Sequence, residues 1–287
     1  MGRKSGSGSA LRRKVELEMR LRGFSPRTHE SYIHALEELA RRYGRPLDRL
    51  TCEEVQVFLD YLISERRLAW ATVNVYFSAY RFLYEQVLQW PRKVFSIPRR
   101  GRSGKRPGIL SPQEVGGLLN ALQNLKHRAL LWMTFGSGLR VSEVVRIQPR
   151  HIDRGRMMLL VESGKGHKDR YTILSEKALS LLGEHWRTNG PFSYFFYGSD
   201  KNQPMSVGTA QAVYYQALKR SGVRRVGGIH VLRHCFATFL MESGHDIYSI
   251  RRWMGHRALV TTGRYMHVRA EHERRARSPL DMLYPKG

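Results

Sequence analysis

Four short stretches of the chain hold the residue types that could carry out a reaction. They are GSGLRVSE with Arg140, GKGHKD with Lys165, HVLRH with His230, Arg233 and His234, and MGHRALVTTGRY with His256 and Tyr265. The residues named supply two guanidiniums, an ammonium, two or three imidazoles and a phenol, with no acidic pair alongside that could hold Mg²⁺. That inventory suits phosphoryl transfer without a metal. A phosphodiester passing through a five-coordinate transition state builds charge on its non-bridging oxygens, and two arginines can clamp those oxygens bidentately where lysine cannot. Imidazoles add hydrogen bonds of adjustable protonation. A tyrosine is a nucleophile that stores the broken bond as a covalent phosphotyrosine. A lysine on a hairpin tip can protonate the leaving oxygen. Taken singly each stretch is a weak signal, because arginines after glycine-rich turns and tyrosines near the end of a chain are common.

His230 and His234 stand four residues apart, so on a helix they share a face. That is the spacing of a zinc ligand pair. It is equally the spacing of a core histidine beside a helix start, or of an anion grip built with Arg233. No carboxylate or cysteine falls at ligand spacing to complete a zinc site. Cys52 and Cys235, the two cysteines, are too few and too far apart for a disulfide framework or a cysteine-based metal centre.

The surroundings favour a polyanion. The 287 residues carry 49 Lys+Arg against 24 Asp+Glu, a formal charge of +25, and the isoelectric point is near 10.6. Such an excess points to nucleic acid ahead of an anionic membrane. No apolar run approaches the ~20 residues of a membrane span, and no signal peptide is evident. A reduced, cytoplasmic protein acting at the nucleoid is the expectation.

The elements that must position the four stretches read as two domains. Residues 1–10 are basic and Gly/Ser-rich, a disordered arm. Residues 11–90 read as a helical domain. In it Ser25-Pro26 opens a helix closed by Gly44, Thr51 and Glu54 form a capping box, and TVNVYFSAYRFLYEQVL spaces its aromatics for a core. Residues 91–108 form a linker with seven basic side chains. Its Arg99, Arg100, Arg102, Lys105 and Arg106 are candidates for lying along DNA phosphates. Residues 109–287 make the second domain, opened by the capping box Ser111-Pro112-Gln113-Glu114 and mostly helical. RMMLLVE and RYTIL read as two strands joined by the SGKGHKD loop, with helices expected over 206–221, 231–243 and 246–254.

In this order the motifs resemble the tyrosine recombinases, the phage integrase family, with a flavour of the Xer-like and transposon-associated branches. The family's Arg, Lys, His-x-x-Arg, His, Tyr series falls on Arg140, Lys165, His230, Arg233, His256 and Tyr265. The nine-residue step from His256 to Tyr265 matches the Xer-like branch. The resemblance covers residues 11–275. It implies a mainly α fold with a small antiparallel sheet, in which a helical SAM-like core-binding domain and a catalytic domain form a C-shaped clamp on duplex DNA. It implies that His230 and Arg233 face the scissile phosphate while His234 supports the helix from behind, and that Glu143 orients Arg140. Lys168, three residues past Lys165, is the rival general acid and otherwise a DNA contact. Gly263 departs from the usual bulky residue two before the nucleophile. No cofactor and no metal are implied. The activity implied is integration, excision or resolution of DNA, as in mobile elements, by a homotetramer on two duplexes, each protomer donating its C-terminal segment to a neighbour. A type IB topoisomerase-like relaxing enzyme shares the chemistry, and a non-catalytic DNA-binding protein shares the charge. The full series of six residues argues against the second.

Overall fold

The structure is a computed structural model and describes residues 6–90, 108–162, 169–224 and 227–255. The chain divides into two compact units, Met1–Ser103 and Gly104–Gly287.

The first unit is helical among its described residues. Helix α1 spans Gly6–Leu21, α2 Pro26–Tyr43, α3 Cys52–Ser64 and α4 Trp70–Arg81, and α4 runs on into a π-helical turn over Phe82–Val87. Ser25 caps α2, whose first turn begins with proline, and Gly44 closes it in the left-handed region at φ 60°. Thr51 and Glu54 make the expected capping box on α3. The aromatic run sits inside, with Tyr80 and Tyr84 fully buried and donating to the carbonyls of Ala35 and Leu47. Helix α1 begins within the arm expected to be disordered over residues 1–10. Val15 and Met19, one turn apart, bury completely and dock it on the core.

The second unit contains α5 (Pro112–Asn120), α6 (Leu125–Gly136), α7 (Val141–Val144), α8 (Glu176–Asn189), α9 (Val207–Ser221), α10 (His230–Glu242) and α11 (Ile247–Met254). Its sheet is antiparallel in the order β1 (Ile152–Asp153), β2 (Met158–Val161), β3 (Arg170–Ile173). The sequence predicts two strands. The third, β1, has two residues, too short to show any alternation. β2 and β3 pair in register Met158↔Ile173 through Val161↔Arg170. Helices α5, α6, α8, α9 and α10 and the sheet share one core, in which Leu118, Leu130, Leu159, Tyr214 and Leu232 are fully covered. Among the described residues no helix is long and apolar enough to cross a membrane.

Candidate active site: an arginine layer around one carboxylate

Four segments meet at Glu143. The first is the turn leaving α6. Gly138 takes φ 61°, open to glycine at no steric cost, and a Cβ there would run into the Phe236 ring. Leu139 is fully buried and its N–H returns to Thr134 O at 3.2 Å. Arg140 therefore emerges extended and starts α7, where its backbone N–H donates to Glu143 Oε2 at 2.8 Å. The Arg140 side chain folds back on the same carboxylate, Nη1 to Oε1 at 2.6 Å.

The second segment is β3. Thr172, fully buried, donates its hydroxyl to Ser137 O at 2.9 Å and so ties the strand to the Arg140 turn. Two residues earlier, on the same face, Arg170 meets Glu143 as a bidentate fork, Nη1 to Oε1 at 2.9 Å and Nη2 to Oε2 at 2.8 Å. The third segment is α10. Gln211 on α9 accepts the Ile229 N–H at 3.3 Å, holding the approach to His230. Arg233, one turn into the helix and 5% exposed, donates to Gly138 O at 2.5 Å and lies 3.7 Å from Glu143 Oε2.

The fourth segment is the end of α11, closed by Gly255 at φ 63°. Its last carbonyls are the negative end of the helix and have no helical partners. Each takes a guanidinium N–H: Trp253 O from Arg170 Nε at 2.8 Å, Met254 O from Arg233 Nη2 at 2.6 Å, Gly255 O from Arg140 Nη2 at 3.1 Å. The chain proceeds directly to His256.

Three guanidiniums thus surround one carboxylate, a formal surplus of two positive charges. Burial alone would push the Glu143 carboxyl up, but the hydrogen bonds and charge of Arg170, followed by those of Arg140, hold it down at about 2. His230 is open to solvent by surface area, yet enough protein surrounds its ring that desolvation lowers its pKa. The positive charges of Arg233 and Arg140 lower it further, against the opposing pull of Glu143. It stands neutral near pH 7, able to donate or accept one hydrogen bond.

Of the residues singled out in the sequence, Arg140, Glu143, His230 and Arg233 come together here. His234 lies partly buried one turn along α10, and among the described residues no group of three His, Cys, Asp or Glu could hold a metal ion. Lys165, Lys168, His256, Tyr265 and the linker residues Arg99, Arg100, Arg102, Lys105 and Arg106 lie outside the described residues. Arg170 was not anticipated. Its signal was a charge on the inward register of a half-buried strand, where it requires a counter-charge.

The phage integrase family matches residues 109–272, and its N-terminal SAM-like domain matches residues 11–93. An integrase/recombinase of Sinorhizobium fredii is 35% identical over 276 residues, covering 95% of this chain and 89% of that protein. The tyrosine recombinase XerC of Lactobacillus delbrueckii subsp. bulgaricus is 28% identical, covering 88% of this chain and 91% of its own. Among solved structures, the Tn1549 transposon integrase in complex with transposon right end DNA superposes with a TM-score of 0.73 at 17% identity, covering 93% and 99% of the two chains. The XerH site-specific recombinase bound to its palindromic difH substrate gives 0.72 at 20% identity, covering 96% and 85%.

Proposed function

The chain belongs to the phage integrase family and is a tyrosine-type site-specific recombinase, and from that premise we propose how its residues divide the reaction. Tyr265 attacks the scissile phosphate of duplex DNA, forming a 3′-phosphotyrosine and releasing a 5′-hydroxyl. Arg140 and Arg233 stabilise the charge that develops on the non-bridging oxygens. His230, held neutral, and His256 add hydrogen bonds to the same oxygens. Lys165 delivers the proton to the leaving 5′-oxygen, with Lys168 its rival. A 5′-hydroxyl from the partner strand then attacks the phosphotyrosine and restores Tyr265. Four protomers on two duplexes complete the exchange, each closing its two domains as a clamp around DNA.

The observation that carries this reading is the meeting of Arg140, Arg233 and His230 around one saturated carboxylate, with surplus positive charge and no acidic pair among them. The DNA on which the structural neighbours were solved supports duplex DNA as the substrate class. Covalent trapping tests it, using nicked duplexes tiled across the DNA that flanks the encoding gene. Tyr265→Phe should retain DNA binding and lose the adduct entirely. An adduct that persists on another phenol, such as the exposed Tyr248, overturns the assignment. Relaxation of plasmids lacking any defined site, without strand exchange, would instead favour a topoisomerase-like activity.

A further inference from the structure

Arg170 has no place in the reaction just described, yet its side chain makes two hydrogen bonds to Glu143 where the side chain of Arg140 makes one and that of Arg233 none. A carboxylate has about four acceptor sites. At Glu143 all are taken: Oε1 accepts from Arg140 Nη1 and Arg170 Nη1, and Oε2 accepts from the Arg140 backbone N–H and Arg170 Nη2. Arg233 waits at 3.7 Å from Oε2, beyond hydrogen-bond reach. The remaining Arg170 donor, Nε, holds Trp253 O, three residues ahead of His256. Packing leaves no slack around it, since a Cβ on Gly255 would stand 2.9 Å from Arg170 Cδ.

We propose that Arg170 is a positioning residue of this site: by filling two acceptor sites of Glu143 it limits that carboxylate to one side-chain hydrogen bond from Arg140 and keeps it from capturing Arg233, so that both guanidiniums stay placed for the phosphate. Without Arg170, two vacated lone pairs would face a buried cation less than 4 Å away. Closing that gap requires only a small side-chain movement, and charge-assisted hydrogen bonds to carboxylate are among the strongest available. The strand thereby does for the arginines what the Gly138 turn does for their backbone.

The inference rests on the reading that Arg140 and Arg233 meet a phosphate, and its test is independent of DNA cleavage. The probe is sulfate, a tetrahedral dianion, titrated into the full chain while the guanidinium ¹⁵N resonances of Arg140 and Arg233 are followed, assigned by their loss in the Arg→Lys variants. Arg170→Ala should weaken sulfate binding at these two residues by about tenfold, the equivalent of one charge-assisted hydrogen bond. The double variant Arg170→Ala/Glu143→Gln, which removes the competing charge, should recover most of that affinity. If Arg170→Ala fails to fold, Arg170→Lys, which fills one acceptor site in place of two, should give a smaller loss with the same recovery. Undiminished binding in the single variant overturns the proposal. So does a double variant as weak as the single, because Arg170 would then contact the anion itself or serve the fold alone. Failure of Tyr265 trapping, by contrast, bears on the recombinase roles and leaves this titration readable.

Discussion

The Arg12 pairs of the first unit and the Glu143 layer of the second use arginine and glutamate in opposite ways. In the first, the pairs lie in water. Arg12 bridges Glu16 at 2.9 Å and Glu37 at 2.7 Å with its side chain 53% exposed. Such pairs are screened and lose side-chain entropy on forming, so they contribute little. In the second unit the carboxylate is 7% exposed, and Arg170 and Arg233 are almost as covered. Arg140, at 21%, is the opening to solvent. Charges buried in this way are offset by their mutual contacts and by hydrogen bonds such as those to the carbonyls at the end of α11, and here the cations outnumber the anion. On the proposed function an arriving phosphate would relieve that imbalance, which would give the second arrangement a reason to exist that the first does not need.

The most severe way to break the contrast is to remove the carboxylate. Glu143→Ala strands three guanidiniums and should cost about 3–5 kcal/mol, the range for breaking a buried ion pair, read by urea unfolding. A loss below about 1 kcal/mol would place the layer in the class of the surface pairs. Acid sharpens the same point without mutation. The Glu143 carboxyl sits at about 2 in the folded chain against the 4.5 ordinary for a glutamate. Its contribution is therefore fully present above roughly pH 4.5 and is lost as pH falls through the folded value, at about 1.4 kcal/mol per unit, or about 3 kcal/mol in all. Between those limits stability should fall more steeply in the wild type than in Glu143→Gln. Parallel curves would mean that Glu143 is not held low.

Much of this was legible in the sequence, and what was not has a physical reason. Helix starts were readable where a side chain caps the backbone locally, as at Ser25, Thr51 and Ser111. Helix α1 has no capping residue described, and its Gly/Ser-rich opening concealed the one-turn repeat of Val15 and Met19 that docks it. In the candidate site, Arg140, His230 and Arg233 could be named because their spacing is local or carried by a motif. Arg170 could not, because its partners Glu143 and Trp253 lie 27 and 83 residues away and only the folded sheet brings them together. Glu143 was readable as an orienting group for Arg140 three residues before it, but not as the shared centre of three arginines.

The smallest expected effect lies at the other end of the comparison, on the surface of the first unit. Arg12→Ala removes both Arg12 contacts at once, yet the stranded carboxylates of Glu16 and Glu37 are already 30% and 48% exposed and can be hydrated where they stand. The hydrogen bond that Arg12 donates to Glu16 raises the Arg12 pKa, opposed by desolvation, and the guanidinium is charged in folded and unfolded chain alike at any ordinary pH. No change in protonation therefore accompanies the substitution. The loss should be under about 1 kcal/mol and should shrink further at about 1 M salt, where the screening length falls to about 3 Å. The Glu143→Ala deficit should persist in the same salt, because buried pairs are screened much less. If instead the Arg12→Ala loss stays constant with salt, it comes from packing of the arginine's methylene stem on α2 and not from charge. If both deficits fade together, the distinction between a solvated pair and a buried layer fails.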